Sequence, residues 1–370
     1  MSIACSALTA AFNRSVCSVV FAALLFSASA AAQTKDLPEF IDEYAKKQDF
    51  HGTVLVQHKG VVEYHHSYGL ANRAFGVQNH NDTKYKIASI TKLFASTLIL
   101  KLRDEGKIDL DSTIKRYLPK YAGEAADKVT IRQLLNHTSG MNNVDKDASP
   151  DKGIAHYQTP MSTDALIERF YSGPLTTKPG TAFDYNNADY IVLGKIIEAI
   201  EGKTFDLVLS ERILQPLNMR SSGMLQQARI VDNLADTYFF RDDLNSLTND
   251  LPVYMENWYA SGAMYSTTDD LLKFANALYG NRILSRSSLE ALVTPGLDDY
   301  GLGLWIDALK VGDKTILAYR RPGQIMGAQS MLIHYHGADI TIIVLSNGGT
   351  TSPDDFAFAI GRKLLGQPQK

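Results

Sequence analysis

TKYKIASITKLFASTLILKLRDEG, residues 83–106, is the stretch around which the chain is ordered, with Ser89-Ile90-Thr91-Lys92 at its centre. Leu93, Phe94, Leu98, Ile99 and Leu102 recur at helical spacing, Lys101 and Arg103 fall in the closing turns, and Gly106 can end the helix. The spacing predicts a single helix, so poor in charge over its first half that it is buried nearly all round. Ser89 opens it, where free backbone N–H groups and the positive dipole end favour developing negative charge. Lys92 follows one turn later on the same face. A serine hydroxyl becomes a nucleophile when a neighbour takes its proton, and a lysine can do so once burial lowers its ordinary value of ~10.4. Ser89 and Lys92 are the candidate nucleophile and base.

S-x-x-K by itself carries little weight, because it should arise by chance about once in a chain of this length. A second copy, Ser112-Thr113-Ile114-Lys115, reads as a solvated turn leading into a surface helix. The apolar helix around the first copy and the motifs after it set the two apart.

The chain has 370 residues, 45% of them hydrophobic, enough for a substantial core. Residues 1–32 read as a secretory signal peptide: Arg14 precedes the apolar run Val19–Phe26, and Ala28-Ser29-Ala30 and Ala30-Ala31-Ala32 offer two cleavage sites. The run is too short for a stable membrane span. Both cysteines, Cys5 and Cys17, lie in that segment, so a mature secreted or periplasmic chain is expected to hold no disulfide. The formal charge of −3 becomes −4 once Arg14 is lost, a balance that predicts no nucleic-acid or anionic-membrane partner.

Further along, Asp36–Phe50 reads as a helix, and Gly52–His58 and Val61–Tyr68 as strands joined at Lys59-Gly60. Helical spacing returns at 130–136, 162–171, 188–201, 205–217 and 269–279, the last capped by Thr267 or Thr268. Residues 141–160 read as a surface loop, and 224–262 carry no clear period. From Gly301 the period turns to alternation, with strands at 302–307, 314–320, 329–335 and 340–346, then a closing helix begun by Ser352-Pro353. Strands at both ends and helices between predict an α/β (α+β) fold, an antiparallel sheet built from both termini. The expected division is an α/β lobe of 33–86 and 293–370, a mostly helical lobe of 87–292, and a cleft at the junction.

Together these fragments resemble the serine β-lactamase and penicillin-recognising superfamily, in the branch of class C β-lactamases, D-alanyl-D-alanine carboxypeptidases and esterases. The resemblance rests on S-x-x-K followed by Tyr185-Asn186-Asn187, and on Leu134-Leu135-Asn136-His137-Thr138-Ser139-Gly140, Tyr300-Gly301-Leu302-Gly303-Leu304-Trp305 and Ser346-Asn347 in order. It implies a β-lactamase-like fold and an acyl-enzyme on Ser89, with Lys92 and Tyr185 as proton partners and Asn187 holding the acyl side of the substrate. Either Lys92 or Tyr185 can be the base, since both titrate near ~10 when free and each needs the other's charge or burial.

The family's K-T-G, H-T-G and H-S-G motifs do not occur in this chain; Arg321-Pro322-Gly323 stands at the matching place. Gly323 leaves room for the substrate, the Gln324 N–H can join that of Ser89 as an oxyanion hole, and Arg321 supplies a permanent positive charge. Pro322 removes a hydroxyl that binds the carboxylate of β-lactams or peptides, and a backbone donor with it. The expected activity is therefore a serine hydrolase acting on ester or amide bonds, of esterase or D-amino-acid peptidase type. A true class C-like β-lactamase and a slow penicillin-binding sensor are the alternatives.

No cofactor or metal is expected: His334 and His336, and the adjacent His65-His66, come without H-E-x-x-H or a cysteine cluster. G-x-S-x-G is absent from the chain. The expected partner is a small-molecule or peptide substrate.

Overall fold

The computed structural model describes residues 36–147 and 155–369. The segment read as a signal peptide, with both cysteines, and the 148–154 part of the surface loop lie outside them. Among the described residues no helix is long and apolar enough to cross a membrane.

Six antiparallel strands form the central sheet: β1 (Gly52–His58), β2 (Val61–Tyr68), β3 (Trp305–Val311), β4 (Lys314–Ile325), β5 (Ala328–His336) and β6 (Ile340–Ser346). Their spatial order is β3-β4-β5-β6-β1-β2. The two ends of the chain meet where β1 pairs with β6, from Gly52 opposite Ser346 to His58 opposite Ile340. Because side chains alternate along a strand, each strand serves both faces. Val54, Val56, Ile333, Ile342 and Val344 point to one core, covered by helices α1 (Leu37–Lys47) and α5 (Pro353–Leu364) through Leu37, Ile41, Phe356 and Ile360. Leu55, Leu332, Ile343 and Leu345 point to the other and larger core. That core also takes helices α2 (Thr91–Asp104), α3 (Asn187–Glu201) and α4 (Thr268–Tyr279). A sheet covered on both faces explains why β6 is buried along its whole length.

The antiparallel sheet from both termini is as the alternation predicts, and several boundaries differ. Residues 83–106 are not one helix. Tyr85 and Lys86 form a short strand against Ser266 and Tyr265, Ala88–Ile90 make a 3₁₀ turn, and α2 begins only at Thr91. The cause is tertiary pairing, together with Ala88, whose φ of +46° cannot continue a helix. The first helix stops at Lys47, and the 205–217 helix passes into a π turn at Ser210–Leu214. Strand β3 starts at Trp305 and β4 runs on through Pro322 to Ile325.

Residues 224–262 contain a hairpin, Tyr238–Arg241 with Ser246–Asn249, and a 3₁₀ segment, Met255–Ser261. A short helix at Arg286–Leu292 has no counterpart in the sequence reading. The 141–160 segment is not wholly at the surface either: Tyr157 is buried, stacked on Trp258 with ring centroids 3.6 Å apart. The second S-x-x-K copy does lie at the surface, where Lys115 pairs with Asp127.

Candidate active site

Ser89 is held by a turn fastened on two sides. The Ile87 N–H donates to the Met264 carbonyl at 3.0 Å, and the Thr91 hydroxyl donates to the Ala88 carbonyl at 2.6 Å while accepting from the Met264 N–H at 3.2 Å. The strained Ala88 thus sits immediately before Ser89, in a conformation that its surroundings impose. Ser89 faces a cleft of about 520 Å³, lined also by Tyr185, Trp305, Pro322, Gly323 and Gln324 from one side and by Thr350 to Asp354 from the other.

Lys92 lies beneath the serine, fully buried. Its ammonium donates to Ser89 Oγ at 3.1 Å, to Asn187 Oδ1 at 2.7 Å and to the Ser261 carbonyl at 2.8 Å. Burial lowers its pKa to about 8; the field of Tyr185 pulls it upward and that of Arg321 downward.

Tyr185 arrives from the loop before α3. That loop is fixed by Asn186, which accepts from the Ala188 N–H at 3.0 Å as the helix cap and donates to the Met141 and Asn142 carbonyls. Capping thus falls to Asn186, which frees Asn187, the first residue of α3, to face Lys92. Burial raises the Tyr185 phenol, but Arg321 first and Lys92 second outweigh it and bring the pKa down to about 8. Its ring stacks on Trp305 at 5.7 Å.

Arg321 is buried, with every polar contact inside the protein. Its guanidinium donates to the Ser89 carbonyl at 2.7 Å, the Tyr300 hydroxyl at 2.8 Å and the Tyr185 hydroxyl at 2.5 Å. Asn187 is committed in the same way: its Oδ1 faces Lys92, while its Nδ2 donates to Asp145 at 2.6 Å and to the Tyr157 hydroxyl at 3.4 Å. Both residues, which the sequence assigns to the substrate, spend their polar atoms on the protein. The chain places them behind the reacting groups.

Gly323 lies against the nucleophile's turn. A Cβ there would meet the Ile87 carbonyl and Ser330 Oγ, each at 2.5 Å, and the Ser89 nitrogen at 3.0 Å. Only glycine lets β4 come this close, which puts the Gln324 backbone beside that of Ser89. The Gln324 side chain is exposed at the cleft, opposite Gln329 in the strand register.

Below Tyr185 lies a buried pair, His137, which the sequence offered as a landmark without a role, and Asp189, which it did not single out. His137 Nδ1 accepts from the Asn186 N–H at 3.2 Å and sits 2.8 Å from Asp189 Oδ2. Burial, then the charges of Lys92 and Arg321, holds the imidazole well below its usual value, and burial raises the Asp189 carboxyl well above its own. Both shifts run toward the uncharged forms of the two groups. The imidazole packs 4.4 Å from the Tyr185 ring. Tyr300 and Trp305 were likewise visible as a landmark but not as site residues; Asp145, one acid in an irregular loop, carried no signal. His334 and His336, weighed as metal ligands, lie with rings 6.3 Å apart, and His334 stacks on Tyr279 at 4.4 Å.

A serine with a buried lysine one turn on, a phenol held by two cations, and a glycine strand against the serine's backbone make an arrangement whose chemistry suits acyl transfer. The chain belongs to the Beta-lactamase family, whose model matches residues 37–365, and this is the family of serine hydrolases that its motifs resemble. Penicillin-binding protein PbpX of Bacillus subtilis (strain 168) is 26% identical over 275 residues, 74% of this chain and 66% of its own length, so the chain spans just under two thirds of that relative. Teichoic acid D-alanine hydrolase of Staphylococcus aureus is 21% identical over 84% of this chain and 73% of its own. Among solved structures, a penicillin-binding protein from Bacillus halodurans superposes with a TM-score of 0.75 and 27% identity, covering 87% of this chain and 98% of that one. The β-lactamase-like fold expected from the motifs is the fold observed.

Proposed function

We propose that the protein is a serine hydrolase that cleaves esters, and secondarily amides, through an acyl-enzyme on Ser89. The observation that carries this reading is the 3.1 Å contact between Lys92 Nζ and Ser89 Oγ, in a setting where Lys92 and Tyr185 both sit near 8. A base of that strength is partly free at neutral pH and still strong enough to take a serine proton during attack.

In this mechanism Ser89 Oγ attacks the substrate carbonyl and its proton passes into the Lys92–Tyr185 pair. The N–H groups of Ser89 and Gln324 hold the resulting oxyanion. Collapse breaks the bond to the leaving group, which takes the proton from the pair and departs as an alcohol or amine. Water then enters, gives a proton to the same pair, and attacks the acyl-serine; return of that proton to Ser89 releases the acid. Arg321 holds Tyr185 in its proton-accepting form and orients it, a role distinct from gripping a substrate carboxylate. Asn187, between Lys92 and Asp145, orients the ammonium.

Ester preference over β-lactams follows from the same geometry. With Arg321 turned inward and Pro322 lacking a hydroxyl, the cleft offers a substrate carboxylate no charged donor from this strand, and one such bond is worth about 1.5–3 kcal/mol. The teichoic acid D-alanine hydrolase among the relatives gives, by its name, a precedent for hydrolysis that involves D-alanine. The test is kcat/KM for a p-nitrophenyl acyl ester, a D-Ala-D-Ala peptide and a chromogenic cephalosporin. The ester should be fastest; a cephalosporin turned over faster than the ester would overturn the reading.

A further inference from the structure

We propose that the cleft selects substrates carrying an ammonium group and that Asp354 is the residue that recognises it. This rests on the ester-hydrolase reading and adds to it the charge of the substrate. The cleft's inventory leads there. No lysine or arginine lines it among the described residues, because Lys92 and Arg321 are both buried behind the reacting groups. The amide that would hold an acylamino side chain is equally unavailable, since Asn187 Nδ2 is spent on Asp145. What remains is one carboxylate, Asp354, half-buried in the wall of the cleft that Gln324 also lines, with no hydrogen bond or ion pair to its side chain among the described residues.

The neighbouring cation does not neutralise it. Arg320 donates to Asp307 at 2.5 Å and lies over the Trp305 ring at 5.1 Å. Burial raises the Asp354 carboxyl above its ordinary value; the field of Arg320 opposes that rise and the charge of Asp355 adds to it. A carboxylate in the cleft that no ion pair engages repels anionic substrates and attracts cationic ones. It also gives a primary ammonium a charge-assisted hydrogen bond in a partly desolvated place, and a quaternary one a charge attraction alone. The ammonium can belong to the acyl part, as in an unacylated amino-acid ester, or to the alcohol part, as in a choline ester.

Asp354 also occupies the first turn of α5, where an acid stabilises the helix end whatever the substrate. Asp355, the next residue and exposed, shares that role but does not line the cleft, and it provides the control. Two ratios of kcat/KM are to be measured: D-alanine methyl ester over N-acetyl-D-alanine methyl ester, and acetylcholine over its uncharged isostere 3,3-dimethylbutyl acetate. Asp354→Asn should lower at least one ratio by about ten-fold, through the loss of one hydrogen bond to a charged group for the alanine ester or of the charge attraction alone for the choline ester. Asp355→Asn should leave both unchanged. A fall in the alanine ratio puts the ammonium on the acyl side, a fall in the choline ratio on the alcohol side, and either supports the proposal.

A wild-type measurement needs no variant: tetramethylammonium should inhibit p-nitrophenyl acetate turnover competitively, and acetate should do so at least ten-fold more weakly. Unmoved ratios in Asp354→Asn, equal falls in Asp355→Asn, or equal inhibition by the two ions would overturn the proposal. If p-nitrophenyl acetate is not hydrolysed at Ser89 at all, the hydrolase reading itself falls; if it is, only the role of Asp354 is lost.

Discussion

Lys92 and Tyr185 reach similar acidities from opposite sides: burial strips the lysine of the water that would hold its charge, while two cations hold the phenol's anion in place. A proton from Ser89 can thus rest on either. We expect Lys92→Ala and Tyr185→Phe each to lower kcat by orders of magnitude, and the double variant to cost little more than the worse single one. Fully additive losses would separate the two groups. The free enzyme's kcat/KM should rise as pH climbs through about 8, where both groups lose their protons. Arg321 lowers both pKa values, so removing its charge must raise them and move that limb to higher pH. Arg321→Gln is expected to shift it so, and Arg321→Lys, which keeps a cation, to restore much of its position. An unmoved limb in Arg321→Gln would leave Arg321 a packing role only.

At the scale of elements, the close approach of β4 to the nucleophile's turn carries the site. Gly323→Ala places a methyl group 2.5 Å from the Ile87 carbonyl, and the backbone of neither element can yield cheaply. It should cut the rate of Ser89 acylation by at least about a hundred-fold, the scale of losing an oxyanion donor. A fluorophosphonate labelling time course, paired with a thermal melt showing the variant folded, checks this; near-normal labelling would contradict the placement of β4. Within the larger core, Phe94 stacks on Phe274 with centroids 3.9 Å apart, both fully buried. Phe94→Ala should cost about 3–5 kcal/mol in denaturant unfolding.

Elements held by local spacing were legible in the sequence. The strands β1 and β2, the stop of α2 just before Gly106 and the cap of α4 at Thr267 follow from residues a few positions apart. The break at 85–90 was not, because its strand partner, Tyr265–Ser266, lies far along the chain and apolar spacing runs straight through. In the same way the S-x-x-K spacing singles out Ser89 and Lys92, and the Y-x-N that follows it singles out Tyr185; the structure brings the three side chains together. The inward turn of Arg321 and Asn187 could not, because it depends on Tyr300 and Asp145 arriving from other elements.

For the whole molecule, the joining of β1 to β6 makes the sheet depend on both ends of the chain. Deleting residues 340–370 removes β6 and α5 together and leaves β1 and β2 without the rest of the sheet. The deletion should abolish soluble, cooperatively unfolding protein; a truncated form that still melts cooperatively would show that the remaining chain folds without the join. We propose that the chain divides into an α/β lobe of 33–86 and 293–370 and a helical lobe of 87–292. Hydrogen exchange should then find the sheet and the helical segments opening as separate units.

The central claim is that Ser89 is acylated, and intact-mass spectrometry with peptide mapping after fluorophosphonate treatment tests it most directly. One adduct is predicted, on the peptide that contains Ser89, and it should vanish in Ser89→Ala while the fold persists. An adduct that survives Ser89→Ala, or that maps to Ser112 in the second S-x-x-K, would contradict the account.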